Sequence, residues 1–336
     1  MSRTSKERVL LYVFVGLFAL MSLISPNKFL SPGNLQSMAT QLPELGLISL
    51  GMMVVILTGG IDLSITYTAA LSGIVGALVL SAGYTGGAGE AAAGLLIMKA
   101  LLAILVTAGL CGSLNGFLVS YVGVSPILVT LGTMTLFEGI SLWLTKGGAV
   151  SGFPEEFQWI GNGYVGFVPV PILIFAVFAV ITAILLERTP WGRSVYMFGC
   201  NPVATYFSGI NTKKTVMWVY LYAALLAAAA AIIMISRYNS AKVDYGSSYL
   251  LQSVAIVVLG GTDIAGGYGK VVGTVIAVGI IQVLSSGLNL IGINRFIVDV
   301  TMGALLIGVL LLNYFIGKGS LGKGVKKDAQ KANTAL

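Results

Sequence analysis

The stretch Glu187–Lys214, ERTPWGRSVYMFGCNPVATYFSGINTKK, is a polar interruption in a chain whose surroundings are almost wholly apolar. It carries Arg188, Arg193, Lys213 and Lys214, punctuated by Pro190 and Pro202. On either side run apolar segments near residues 169–187 and 215–236. Each approaches the roughly 20 apolar residues that a helix needs to cross a bilayer.

Working outward, the same pattern repeats. The 336 residues are 57% hydrophobic and 9% charged, with a mean hydropathy of +0.94. The apolar runs are continuous rather than alternating, which favours helices over a membrane β-barrel. The 44 glycines suit helices packed closely in lipid. Further runs lie at 9–24, 42–58, 64–83, 95–121, 126–145, 249–265, 269–289 and 296–316. The expectation is an all-α polytopic membrane protein of about ten transmembrane helices, some broken or re-entrant, with an internal pseudo-repeat. Residues 1–316 form one transmembrane domain, with 188–214 as its cytoplasmic loop and 317–336 as a basic tail.

The first run follows Arg3, Lys6 and Arg8 as a signal peptide would. No small-residue cleavage site follows it, only Ser25-Pro26-Asn27-Lys28, so it reads as an uncleaved span. Alternating sides from a cytoplasmic start puts those cations, the four of the central loop, Lys270 and the tail lysines inside. Lys28, Lys146, Arg237, Lys242 and Arg295 fall outside. That asymmetry predicts a multi-pass protein with both termini cytoplasmic. It also accounts for the net charge of +7 without nucleic acid. The outer segment 147–168, with Glu155 and Glu156, is either a solvated loop or a small folded unit facing a partner.

Two stretches echo one another. Leu57-Thr-Gly-Gly-Ile-Asp-Leu-Ser64 returns as Val258-Leu-Gly-Gly-Thr-Asp-Ile-Ala265. Paired, glycine-interrupted short segments point to a transport pathway. Gly59, Gly60, Gly260 and Gly261 are the expected helix breaks, and Asp62 and Asp263 either cap the following helices or also face the pathway. Asn115, Thr130 and Thr133 are further polar positions in spans. They are read either as pathway lining or as interhelical hydrogen bonds.

Several chemistries are excluded. With no histidine, imidazole catalysis and His-ligated metals are impossible. Cys111 and Cys200 have no disulfide or metal spacing. Gly317–Gly324 approaches a phosphate-binding loop, but Gly324 stands where Ser or Thr must ligate magnesium. In the stretch ending Gly269-Lys270, Ile264 and Val271 break the same pattern. The chain is therefore expected to be no enzyme and to bind no cofactor, so that ATP and Mg would sit on another subunit.

If energy arrives from outside, a cytoplasmic segment must receive it. Asn201 is a good N-cap, Pro202 fits the first helical position and Gly209 can end the turn. The short helix would show Val203, Tyr206 and Phe207 on one side, a patch suited to a protein partner.

These residues carry a resemblance. Gly59–Ser64, Gly192–Tyr196 with Gly199–Asn201, Ala204 with Ser208–Ile210, and Gly260–Thr262 with Gly266–Gly269 and Gly273-Thr274 resemble the permease subunits of sugar-type ATP-binding-cassette importers. That family takes in ribose, xylose, arabinose, galactose and autoinducer-2 permeases. Ile65-Thr66 and Thr205 depart from its usual pattern, which has Val-Gly and a second alanine there.

The resemblance implies a permease translocating a monosaccharide or related small polar solute across the plasma (inner) membrane of a bacterium. Its partners would be a second permease copy or paralogue, cytoplasmic ATPase subunits and an external sugar-binding protein. Asn201, Pro202, Val203, Ala204, Tyr206, Phe207, Ser208, Gly209 and Ile210 would form the ATPase-docking helix. An ion-coupled secondary transporter, using Asp62, Asp263, Glu138 or Asp299, is the alternative from the residues.

Overall fold

The computed structural model describes residues 3–83 and 90–293, with isolated positions between 297 and 308. Within them the chain is a bundle of helices: α1 (Arg3–Ile24), α2 (Pro26–Phe29), α3 (Pro32–Ile56), α4 (Ile65–Gly83), α5 (Glu90–Phe117), α6 (Pro126–Thr145) and α7 (Glu155–Asn162). There follow α8 (Val170–Arg188), α9 (Pro190–Cys200), α10 (Pro202–Phe207), α11 (Thr212–Tyr238), α12 (Tyr249–Leu259) and α13 (Val271–Leu290). A π turn, Leu118–Val122, extends α5.

Eight of these helices are long and apolar enough to cross a membrane, while α12 is a shorter apolar helix of 11 residues. At 1.5 Å per residue α12 rises only about 16 Å, half a bilayer core. The run at 249–265 is thus a half-helix rather than a full span, because Gly260 and Gly261 end it. The expected tenth span, 296–316, and the tail 317–336 lie outside the continuously described residues.

The layering follows from burial. In α3 and α11, 78% of the apolar window is buried, against 28% in α6 and α8, so α3 and α11 form the central pair and α6 and α8 the periphery. Small residues allow the close approaches: a side chain at Gly112 of α5 would meet the Tyr220 carbonyl of α11 at 2.8 Å. Between α3 and α11 pack Leu47, Leu50, Val54, Val219, Ala223 and Ala230.

α3 starts earlier than the expected position 42. Ser31 accepts a hydrogen bond from the Asn34 amide at 3.3 Å and Pro32 opens the first turn, so ten polar-rich residues are helical. The outer segment is folded. Strand β1 (Val150–Ser151) pairs with β4 (Ser240–Ala241), and β2 (Tyr164–Val165) with β3 (Val168–Pro169). Phe153 and Phe157 are buried edge-to-face against the end of α11. Ser236 of α11 donates to the Phe157 carbonyl at 2.6 Å and accepts from the Gly161 amide at 2.8 Å. The bundle therefore has two distinct ends, one carrying α9 and α10, the other capped by α7.

Candidate functional site: a glycine junction beneath an exposed helical hairpin

At the α9–α10 end the polar stretch forms two short helices, not one. Thr189 caps α9, accepting from the Gly192 amide at 3.2 Å, and Pro190 opens it. Asn201 then caps α10, accepting from the Ala204 amide at 3.0 Å, with Pro202 at its first turn. Gly209 follows at φ +80°. On α10, Val203, Tyr206 and Phe207 are 64%, 65% and 82% exposed, and the two rings meet edge-on. Thr205, by contrast, is buried and its hydroxyl donates to the Asn201 carbonyl. Ala204, Ser208 and Ile210 complete the segment, Ser208 donating to the Ala204 carbonyl at 2.9 Å.

Beneath this hairpin the two echoed glycine loops meet each other. The Gly267 amide donates to the Leu57 carbonyl at 2.9 Å. Gly266 stands so close that an added Cβ would lie 2.6 Å from the Gly59 nitrogen. Gly59 and Gly266 hold φ of +77° and +91°, a region glycine enters without steric cost. The last turn of α9 inserts into this contact: a Cβ at Gly199 would sit 2.0 Å from the Leu57 carbonyl oxygen and 2.3 Å from the Gly267 nitrogen. The Cys200 thiol lies 3.6 Å from the Gly267 carbonyl, and the Tyr196 hydroxyl donates to the Gly269 carbonyl at 2.9 Å. Three segments far apart in sequence thus touch backbone to backbone, without side-chain padding that could absorb movement.

The remaining helix-break glycines serve the same loops. Gly260 packs against the start of α13, where a Cβ would lie 2.8 Å from Thr274, and Gly261 turns the chain at φ +90°. A Cβ at Gly60 would meet Pro126 and the Tyr220 hydroxyl.

The expected polar positions divide. Asp62 is buried between α3 and α4. Its Oδ1 accepts from the Ser64 amide at 2.9 Å and the Ser64 hydroxyl at 2.7 Å. The Asn115 amide donates to that hydroxyl at 2.7 Å, and Thr130 donates to the Ile61 carbonyl at 3.0 Å. Asp62, Asn115 and Thr130 are therefore brought together around the first loop. Burial pushes the Asp62 carboxyl up to about 6, against the opposing pull of its bonds from Ser64. Thr133 turns its hydroxyl back onto α6, to the Val129 carbonyl. Asp263 is exposed and caps its own turn, accepting from the Ala265 amide at 3.0 Å. Asp299 lies outside the described residues.

Sequence reasoning passed over two features here. The Thr189-Pro190 pair has the same cap-then-proline grammar as Asn201-Pro202, and it signals α9. The meeting of Gly199 with the two loops has no local signal.

A helical bundle with a half-helix, two broken-helix loops and an exposed amphipathic hairpin is the architecture of a multi-pass membrane transport protein. The chain belongs to the family described as branched-chain amino acid transport system / permease component, whose sequence profile matches residues 34–310. It is 40% identical over 304 residues to the ribose import permease protein RbsC of Bacillus subtilis (strain 168), covering 89% of this chain and 91% of that one. The ribose import permease protein RbsC of Haemophilus influenzae is 35% identical over 309 residues, 91% and 92% of the two chains. The autoinducer 2 import system permease protein LsrD of Photorhabdus temperata is 34% identical over 270 residues, 78% of each. No solved structure gives a significant match.

Proposed function

We propose that this permease is the membrane-spanning subunit of an ATP-driven importer, passing a monosaccharide or related small polar solute delivered by an external binding protein. The α9–α10 end faces the cytoplasm of a bacterium, both termini lie on that side, and a separate ATPase with its Mg-ATP docks on α10. The chain itself holds no cofactor and works beside a second permease copy or paralogue.

The observation that carries this reading is the seating of Gly199 between Leu57 and Gly267. A partner that grips Val203, Tyr206 and Phe207 displaces α10, and α9 passes that displacement to both glycine loops. Packed backbones are bistable rather than compliant, so a small push switches the loops together. The likeness to ribose and autoinducer 2 import permeases supports the solute class. Their relatedness over most of the chain supports the subunit role.

The test is co-purification. Replacing Tyr206 and Phe207 with Asp puts charge on the exposed patch while leaving the capped turn intact. The variant is expected to insert normally and to lose its ATPase partner. Retention of the partner at wild-type stoichiometry with normal uptake would remove α10 from this role.

A further inference from the structure

At the opposite end, a second site is built by residues that no motif singles out. A cavity of about 280 Å³ opens between α3, α11, α12 and α13, bordered by Gln41, Arg237, Gln252, Gln282, Ser285 and Asn289. That is just below the span of about 300–1,000 Å³ for drug-sized pockets, so it has room for one small solute. Gln282, Ser285 and Asn289 recur at i, i+3 and i+7 along α13 as a polar stripe, while the helix's other polar side chains, Thr274 and Ser286, bond to Met53 and Asn34 of α3. Among the described residues, none of Gln252, Gln282, Ser285 and Asn289 makes a side-chain hydrogen bond to protein. Gln282 is only 7% exposed. Buried amides are normally paired, because leaving them unpaired costs free energy. Buried Gln282, with part-buried Gln252 and Ser285 and exposed Asn289 around the same cavity, marks a place where partners arrive from outside the chain.

The charge of the cavity wall is already cancelled. The Arg237 guanidinium grips Glu44 two-handed, Nε to Oε1 at 2.6 Å and Nη2 to Oε2 at 3.0 Å. The Tyr249 hydroxyl donates to Glu44 Oε2 at 3.1 Å, and Arg237 also donates to the Tyr238 hydroxyl. Glu44 is fully buried. Besides the apolar Leu45 and Ile281 and the paired Arg237, what faces the cavity is therefore a set of amides and hydroxyls, both donors and acceptors, with no net charge. That chemistry matches a polyhydroxylated neutral molecule and penalises an anion or a cation, which would be desolvated without a counter-charge. Toward the glycine junction, the buried side chains of Leu45, Ile256 and Ile281 close the packing. The half-helix α12 carries Gln252 near one end and Gly260 just past the other.

We infer that this cavity is a transit site for an uncharged polyol such as a pentose or hexose, with Gln282 at its centre. The inference rests on the import reading above, and α12 links the site to the junction that the ATPase would move.

The test is solute protection of an introduced thiol in the purified full chain, an assay that needs neither ATP nor partner. Ser285→Cys is placed in a Cys200→Ser background, since Cys200 is the exposed native thiol and Cys111 is buried. Labelling by a neutral, water-soluble methanethiosulfonate is followed with D-ribose, D-xylose, D-galactose or L-arabinose present. Gluconate and glucosamine serve as charged probes. The expected result is labelling that slows about tenfold when one neutral sugar reaches about ten times its Kd, the factor 1 + [L]/Kd. Protection should then be lost with Gln282→Leu or, should that variant misfold, with Asn289→Leu on the rim.

No labelling of Ser285→Cys, no protection by any of the neutral sugars, or equal protection by the charged probes would overturn the inference. Protection without ATP-driven uptake in the reconstituted system would keep this site and remove the ATPase reading. ATP-driven uptake without protection would do the reverse.

Discussion

A single methyl group at Gly199 should separate the hairpin from the loops it rests on. In Gly199→Ala the new Cβ would stand 2.0 Å from the Leu57 carbonyl oxygen and 2.3 Å from the Gly267 nitrogen, where under 3.0 Å something must move. Both neighbours are backbone, so no side chain can swing away. Relieving the contact requires a shift of about 1 Å, enough to strain or lose the Gly267–Leu57 hydrogen bond. Overpacking of this kind costs about 1–3 kcal/mol, and the lost bond about 0.5–1.5. Alanine's better helix propensity in α9 returns up to about 1 kcal/mol. The net is a destabilisation of about 0.5–4.5 kcal/mol, read as a fall in Tm of about 2–4 °C per kcal/mol. The control is Gly132→Ala, where nothing lies within 4 Å and a side chain meets open space. In the reconstituted transporter, Gly199→Ala should retain the ATPase partner yet uncouple ATP hydrolysis from uptake. A Gly199→Ala protein that melts and transports like wild type would show that α9 does not bear on the loops.

Three further outcomes follow from the same structure. Glu44→Gln or Arg237→Leu alone leaves a buried group without its charge partner and should cost about 3–5 kcal/mol. The double replacement Glu44→Leu with Arg237→Leu should recover most of that, so additive losses in thermal melts would deny the pairing. Asp62, raised to about 6 by burial, binds its proton more tightly folded than unfolded, so wild-type stability should fall as pH rises from about 4 through 6. At 1.36 kcal/mol per pH unit the fall is about 3 kcal/mol. Asp62→Asn keeps an acceptor for Ser64 and should flatten that part of the melting-versus-pH curve; an unchanged curve would mean another group titrates. Gly161→Ala should loosen α7 from the end of α11, because its Cβ would lie 2.4 Å from the Arg237 nitrogen. Faster proteolysis around residues 147–168 would report it, and an unchanged rate would not fit the contact.

Some of this was plain in the sequence, and the reasons are physical. Long apolar runs such as Ile65–Gly83 and Val271–Leu290 announce themselves because lipid admits no unpaired backbone. The cap of α10 was legible because Asn201, Pro202 and Gly209 each act within one turn. The start of α3 was not, since Ser31-Pro32 lies ahead of a polar stretch that hydropathy reads as a loop. The half-helix α12 was legible as a short run, though its end at Leu259 rather than 265 depends on the glycine turn. Contacts between distant residues left no trace. Glu44 and Arg237 are 193 positions apart, and Arg237 reads locally as one more outer-loop cation. The polar stripe of α13 could have been found, because Gln282, Ser285 and Asn289 share a helical face.

The central claim is that a separate ATPase drives this permease through α10. Its most direct test is solute uptake into proteoliposomes holding the chain alone, or with its ATPase and external binding protein. Uptake should require ATP and all three components, survive collapse of ion gradients, and disappear with Tyr206→Asp/Phe207→Asp. Gradient-driven uptake by the chain alone, without ATP, would contradict the account.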